Sequence, residues 1–130
     1  MKILLDTHVF LWYISADARL SNKLQHIIRD PTNEVFLSPI SVWEAIIKHQ
    51  TGKLELPEPP QTYLPRQRHR HLISSLPLDE ASVTHLAVLP PLHRDPFDRM
   101  LVCQAHAHDL TLATVDPVVR EYTIPTIDGS

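Results

Sequence analysis

Short continuous apolar runs, separated by longer stretches with helical periodicity, constrain this chain more than any other feature. Ile3-Leu4-Leu5 is too short for a helix and is apolar on both alternating faces, as in a strand covered from both sides. Val35-Phe36-Leu37 repeats the pattern. Leu72 to Leu76 is predicted as a third strand, Leu112-Ala113-Thr114 as a fourth and Tyr122 to Ile127 as a short fifth. Helices are predicted between them. Val9 to Ile14 has Asp6 or Thr7 as its cap. A second helix opens at Ser21 and places Leu24, Ile27 and Ile28 on one face. Ser41 to Gln50 ends near Gly52. Asp79 to Val88 is stopped by Pro90-Pro91, and Pro96 to His108 follows. Strands alternating with helices imply an α/β fold. Its sheet is mainly parallel, of four or five strands, covered by helices on both faces and built from right-handed crossovers.

At 130 residues, 43% hydrophobic and 21% charged, the chain is expected to form one domain over residues 1–130 with its own core. The proline cluster Leu56-Pro57-Glu58-Pro59-Pro60 reads as an extended connection inside that domain. Pro65 is expected to limit any helix between Gln61 and His71. A net charge of −3 with histidines neutral excludes a broadly basic surface, though not a locally basic groove. The single Cys103 excludes an internal disulfide and is expected as a buried thiol. Asp6 and His8 interrupt the apolar opening, so it does not read as a signal peptide. No stretch is long and apolar enough to span a bilayer, and a cytoplasmic protein is the expectation.

Four acids stand at the starts of these helices: Asp6, Glu44, Asp98 and Asp116. Each has a local explanation. Asp6 suits a helix cap. Ser41-Val42-Trp43-Glu44 matches a capping box, and Glu44 precedes Lys48 by one helical turn. In Asp95-Pro96-Phe97-Asp98, Asp95 suits the cap, Pro96 the first helical position and Asp98 the first turn. Asp116-Pro117 repeats that pattern. Parallel strands would nevertheless bring the acids to one edge of the sheet, where open α/β sheets place their sites. Crowded carboxylates repel, and helix N-termini carry too little charge to neutralise four or five of them. A divalent cation would, and Mg²⁺ suits carboxylates with waters.

The ordered motifs Leu4-Leu5-Asp6-Thr7-His8, Ser41-Val42-Trp43-Glu44 with Lys48, His93-Arg94-Asp95-Pro96-Phe97-Asp98-Arg99 and Leu112-Ala113-Thr114-Val115-Asp116 resemble the PIN-domain family. Within it they resemble the VapC-like toxin ribonucleases of type II toxin-antitoxin pairs. The resemblance runs over nearly the whole chain and implies a PIN-like three-layer sandwich. It also implies an endoribonuclease that depends on Mg²⁺ or Mn²⁺, is often dimeric, and is restrained by a cognate antitoxin. It carries the catalytic set onto Asp6, Glu44, Asp98 and Asp116. One or two ions held by Asp6, Asp98 and Asp116 would activate water against an RNA phosphodiester, with Glu44 completing the ligands or orienting the water. Asp95 remains open between helix cap and supporting acid. Thr114 occupies a position where a hydroxyl supports the bound water.

Arg66, Arg68, His69, Arg70 and His71 form the one basic cluster. Arg68 and Arg70 are candidates for RNA phosphates, with a solvated loop or an antitoxin contact as the alternatives. His106 and His108 are two apart on a helix and do not share a face, which argues against a zinc pair. His8 and His93 stand near the proposed ligands and are candidates for binding substrate, with no catalytic role implied by the resemblance. Trp12, Tyr13, Trp43, Ile46 and Ile47 suit either core or a partner groove. The residue two after Asp6 is His8 rather than Asp, which argues against a haloacid-dehalogenase phosphatase. The competing class is a non-catalytic RNA-binding or protein-interaction module on the same fold.

Overall fold

A computed structural model describes residues 1–130. Five parallel strands form one sheet in the order β3-β2-β1-β4-β5, where β1 is Lys2–Leu5, β2 Glu34–Leu37, β3 Ser74–Ser75, β4 Thr111–Ala113 and β5 Thr126–Ile127. Six α-helices connect them: α1 (Thr7–Ile14), α2 (Asn22–Arg29), α3 (Pro39–Gln50), α4 (Pro60–Arg70), α5 (Glu80–His85) and α6 (Pro96–Ala107). The central strand β1 pairs with β2 through Ile3 opposite Val35, and with β4 through Leu5 opposite Ala113.

Strand alternation divides the interior into two layers. Ile3 and Leu5 join a core built with Val9 and Phe10 of α1, Leu24 and Ile28 of α2, and Leu64 of α4. Leu4 points the opposite way, into a second core with Leu101, Val102 and Ala105 of α6 and with Val119 and Tyr122. All three β1 side chains are fully buried, each contributing about 1.5–3 kcal/mol by area. Helix α3 supplies both cores, Ile40 to one and Ala45 to the other. The expected three-layer α/β architecture is therefore present.

Local signals set most element ends. Asp6 caps α1 by accepting the Val9 N–H at 2.8 Å, and Ser21 caps α2 by accepting from Leu24. Asp95 caps α6, with Pro96 at its first position. Several expectations need correction. Helix α3 begins at Pro39 with Ser38 as its cap, not at Ser41, because Pro39 lacks the N–H that a first helical residue wastes. Ser41 is instead buried inside the first turn, so no capping box forms with Glu44.

Helix α4 runs through Pro65, which costs one internal hydrogen bond while Leu64 and Gln67 on either side are buried. The third strand shrinks to Ser74–Ser75 because the α4 exit uses the residues before it. Leu72 takes a left-handed conformation (φ 58°), its N–H bonding to the His69 carbonyl and that of Ile73 to Arg68. That is a Schellman closure with leucine where glycine is usual. Gly52 makes the same closure after α3, at φ 73°. The fifth strand likewise starts only at Thr126, Tyr122 being committed to the α6-side core. No helix is long and apolar enough to cross a membrane.

Candidate active site

The strand order makes the chain leave β1 toward β2 and β3, then return to its other side at β4 and β5. The crevice at the carboxyl ends of β1 and β4 is thus a topological switch point, the favoured place for a site in an open α/β sheet. Asp6 follows β1 directly, and its N–H continues the ladder to the Ala113 carbonyl at 3.0 Å. Asp116 follows β4. Asp98 enters from the first turn of α6. These three acids line one cleft of about 310 Å³ together with His8, Trp12 and Val115.

Burial pushes the Asp6 carboxyl above the ordinary carboxylate range, against the Thr114 hydroxyl and the Val9 N–H, which lower it. Asp98 is also pushed up, to about 7, first by burial and then by the negative charges of Asp95, Glu44 and Asp6. Asp116 differs. Although burial raises it, hydrogen bonds from His93 and the Val118 N–H hold it below the usual value. Burial and mutual repulsion thus disfavour the ionised forms of Asp6 and Asp98, while Asp116 is held ionised by its hydrogen bonds.

Glu44 is buried behind the cleft rather than lining it. Its Oε1 accepts the Thr7 hydroxyl at 2.7 Å and its Oε2 pairs with Lys48 one turn along α3. The pair is therefore buried at Glu44 and half-exposed at Lys48. Thr7 also lies 2.9 Å from the Ser41 hydroxyl, which ties α1 to α3 beneath the site. Asp95 spends Oδ1 on the N–H groups of Phe97 and Asp98, so capping is what it visibly does. Thr114 is fully buried, and its hydroxyl accepts the Asp116 N–H at 3.1 Å.

His93 is a residue to which sequence reasoning gave no catalytic role. Its Nε2 lies 2.8 Å from Asp116 Oδ2 and 3.3 Å from Asp98 Oδ2. Its Nδ1 accepts the Asp95 N–H at 2.9 Å. An amide can only donate, so in the uncharged ring Nδ1 keeps its lone pair and Nε2 carries the proton. His93, Asp98 and Asp116 bring ligand-type atoms within 4.8 Å of one another. The signal in the sequence was proximity alone: His93 precedes the Asp95 cap by two residues, close enough to meet its amide.

Other candidates lie apart from the cleft. Arg68 donates to the Ile73 carbonyl at 2.8 Å and supports the α4 exit, while Arg66 pairs with Glu58. Arg70 is exposed at the end of α4. His106 stacks on His85 at 4.0 Å, and His108 pairs with Asp79 at 2.6 Å, so the two have different partners. Trp43 is exposed and meets Phe97 edge-on at 4.9 Å.

An open parallel α/β sheet with carboxylates gathered at its switch point defines the class. The PIN domain matches residues 3–124, and the chain belongs to that family. It is 38% identical over 72 residues to Ribonuclease VapC16 of Mycobacterium tuberculosis, covering 55% of this chain and 50% of that protein. The match thus spans about half the length of that curated relative. DNA-bound VapBC from Salmonella typhimurium superposes with a TM-score of 0.74 at 18% identity, covering 100% of this chain and 99% of that one. VapBC-1 from nontypeable Haemophilus influenzae gives 0.68 at 18% identity, covering 99% and 98%. At these identities the structural likeness is one of fold.

Proposed function

We propose that this chain is a divalent-cation-dependent endoribonuclease, the toxin member of a toxin-antitoxin pair. The observation that carries this reading is the convergence of Asp6, Asp98 and Asp116, from three distant segments, on one cleft at the switch point. The PIN family membership, the likeness to Ribonuclease VapC16 and the VapBC folds support it.

The donor set fits Mg²⁺ or Mn²⁺: oxygen donors only, one of them raised to about 7 by burial and neighbouring acids, a shift that a cation would reverse. Asp6, Asp98 and Asp116 would hold the cation. Bound there, it would polarise an RNA phosphate and favour attack by water. Glu44, with both oxygens engaged by Thr7 and Lys48, is suited to a positioning role behind those ligands. Thr114 ties Asp6 to the backbone of Asp116 and fixes the spacing of the β1 and β4 acids. His93 donates from Nε2 toward Asp116 and Asp98, so it orients carboxylates rather than offering a lone pair. Asp95 fixes the N-terminus of α6 and, through its N–H, the ring of His93. The partners on this reading are RNA, a cognate antitoxin and a second copy of the chain.

The test is cleavage of a mixed RNA substrate with Mg²⁺ or Mn²⁺, comparing wild type with Asp6→Asn and Asp98→Asn. Each substitution is expected to lower the rate by about 10²-fold or more, the scale of losing a preorganised electrostatic group, and EDTA to abolish it. Full activity in both variants, or activity in EDTA, overturns the assignment.

A further inference from the structure

Tyr122 ends the segment that Asp116 begins. Its ring is buried in the α6-side core with Leu101, Val102 and Val119. A buried tyrosine needs a partner for its hydroxyl. Here the partner is the main chain of His93, whose N–H donates to the Tyr122 hydroxyl at 2.9 Å.

The stretch held by this bond has little else to fix it. Leu89 to Asp95 form no helix or strand, and Pro90 and Pro91 offer no N–H. The Leu92 N–H turns back on the Pro90 carbonyl, and that of Asp95 on the His93 ring. The bond to Tyr122 is the one hydrogen bond from the main chain of residues 90–94 to a distant part of the fold. A cavity of about 250 Å³ is lined by Leu89 and Pro90 together with Tyr122 and Thr123, so packing between the two stretches is incomplete.

One short segment therefore grips His93 at two points. Asp116 Oδ2 meets the ring at 2.8 Å, and at the far end of the segment the Tyr122 hydroxyl holds the main chain. The segment is itself tied between them. Asp116 Oδ1 accepts the Val118 N–H at 2.9 Å, and the Asp116 carbonyl accepts that of Arg120 at 3.3 Å. A side chain presents its tip in one place only if its backbone is fixed as well. We propose that Tyr122 is a positioning residue of the cleft: its hydroxyl anchors the His93 main chain so that Nε2–H reaches Asp116 and Asp98 together. This role rests on the reading of the cleft as a cation-holding ribonuclease site, in which those two carboxylates are ligands.

The test titrates Mn²⁺ alone into RNA-free protein and follows the free ion by electron paramagnetic resonance. His93→Ala is expected to weaken binding about tenfold, the lower end for a group that orients metal ligands. Tyr122→Phe keeps the ring in the core and removes only the acceptor. It is expected to weaken binding about threefold to fivefold, the scale of one neutral hydrogen bond. The double variant should match His93→Ala, because Tyr122 acts through the His93 ring. A tyrosine that merely fills the core would leave Mn²⁺ affinity unchanged in Tyr122→Phe, and that result overturns the proposal. Losses that add in the double variant, or tighter binding in His93→Ala, overturn it too. A second measurement needs no variant. In wild type the His93 amide should exchange with solvent about tenfold more slowly than the unbonded, exposed Arg94 amide, after correction for sequence. Equal rates overturn the anchor. Mn²⁺ binding that Asp98→Asn abolishes, with no RNA cut, overturns the ribonuclease reading and leaves the anchor standing. Cleavage by wild type with unchanged Mn²⁺ affinity in Tyr122→Phe does the reverse. Wild type that binds no Mn²⁺ overturns both.

Discussion

Asp98 shows what the site costs the fold. Its carboxyl is pushed from 3.8 to about 7 by burial and by the surrounding acids. The folded protein therefore binds more protons than the unfolded chain between those values. The stability associated with the protonated group is fully present below about 4 and is lost as pH rises through about 7. In EDTA, the melting temperature of wild type should fall from pH 5 to pH 8 more steeply than that of Asp98→Asn. At pH 8 the variant should be the more stable by on the order of 1–2 kcal/mol, allowing for partial exposure. Parallel thermal melts of the two proteins across that range check this, and identical slopes would remove Asp98 as the strained member of the cluster.

At the scale of elements, the exits from helices are the informative places. Leu72 is 90% exposed and sits at φ 58°, so it carries the cost of a left-handed leucine without burial in return. Leu72→Gly should stabilise the protein by about 1 kcal/mol, read as a higher urea midpoint with an unchanged slope. The same residue explains why the third strand was not legible. Leu72-Ile73 looks like strand by composition, yet the α4 closure takes both N–H groups first. By contrast β1, β2 and the α6 start were legible, because an apolar triplet buried on two faces and an Asp-Pro helix start each have one physical solution. Ser41 suits a cap in sequence, yet Ser38 holds that place in the structure. The partner that occupies Ser41 instead, the Thr7 hydroxyl, is 34 residues away and visible only in three dimensions.

For the whole molecule, the acids were legible as a set because strand ends in a parallel sheet share one edge, and Asp6, Asp98 and Asp116 line one cleft there. The place of His93 was not, since it depends on a ring nitrogen meeting an amide two residues on. A divalent cation held by Asp6, Asp98 and Asp116 would stabilise the folded state by mass action, because its ligands come from separate segments. Mn²⁺ at about 100 times its dissociation constant should raise stability by about 2.7 kcal/mol. A thermal-shift titration should show this rise in wild type and little of it in Asp98→Asn. An equal rise in both would place the ion elsewhere.

The strand order has a further consequence during synthesis. β1 emerges from the ribosome first yet occupies the centre of the sheet, and one of its two neighbours, β4, begins only at Thr111. Asp6 is therefore made long before Asp98 and Asp116 arrive to close the cleft. A half-made chain has no complete set of carboxylates. Folding is slowed by pairing so distant in sequence, and the carboxylate cleft is incomplete until residues 1–116 have been translated.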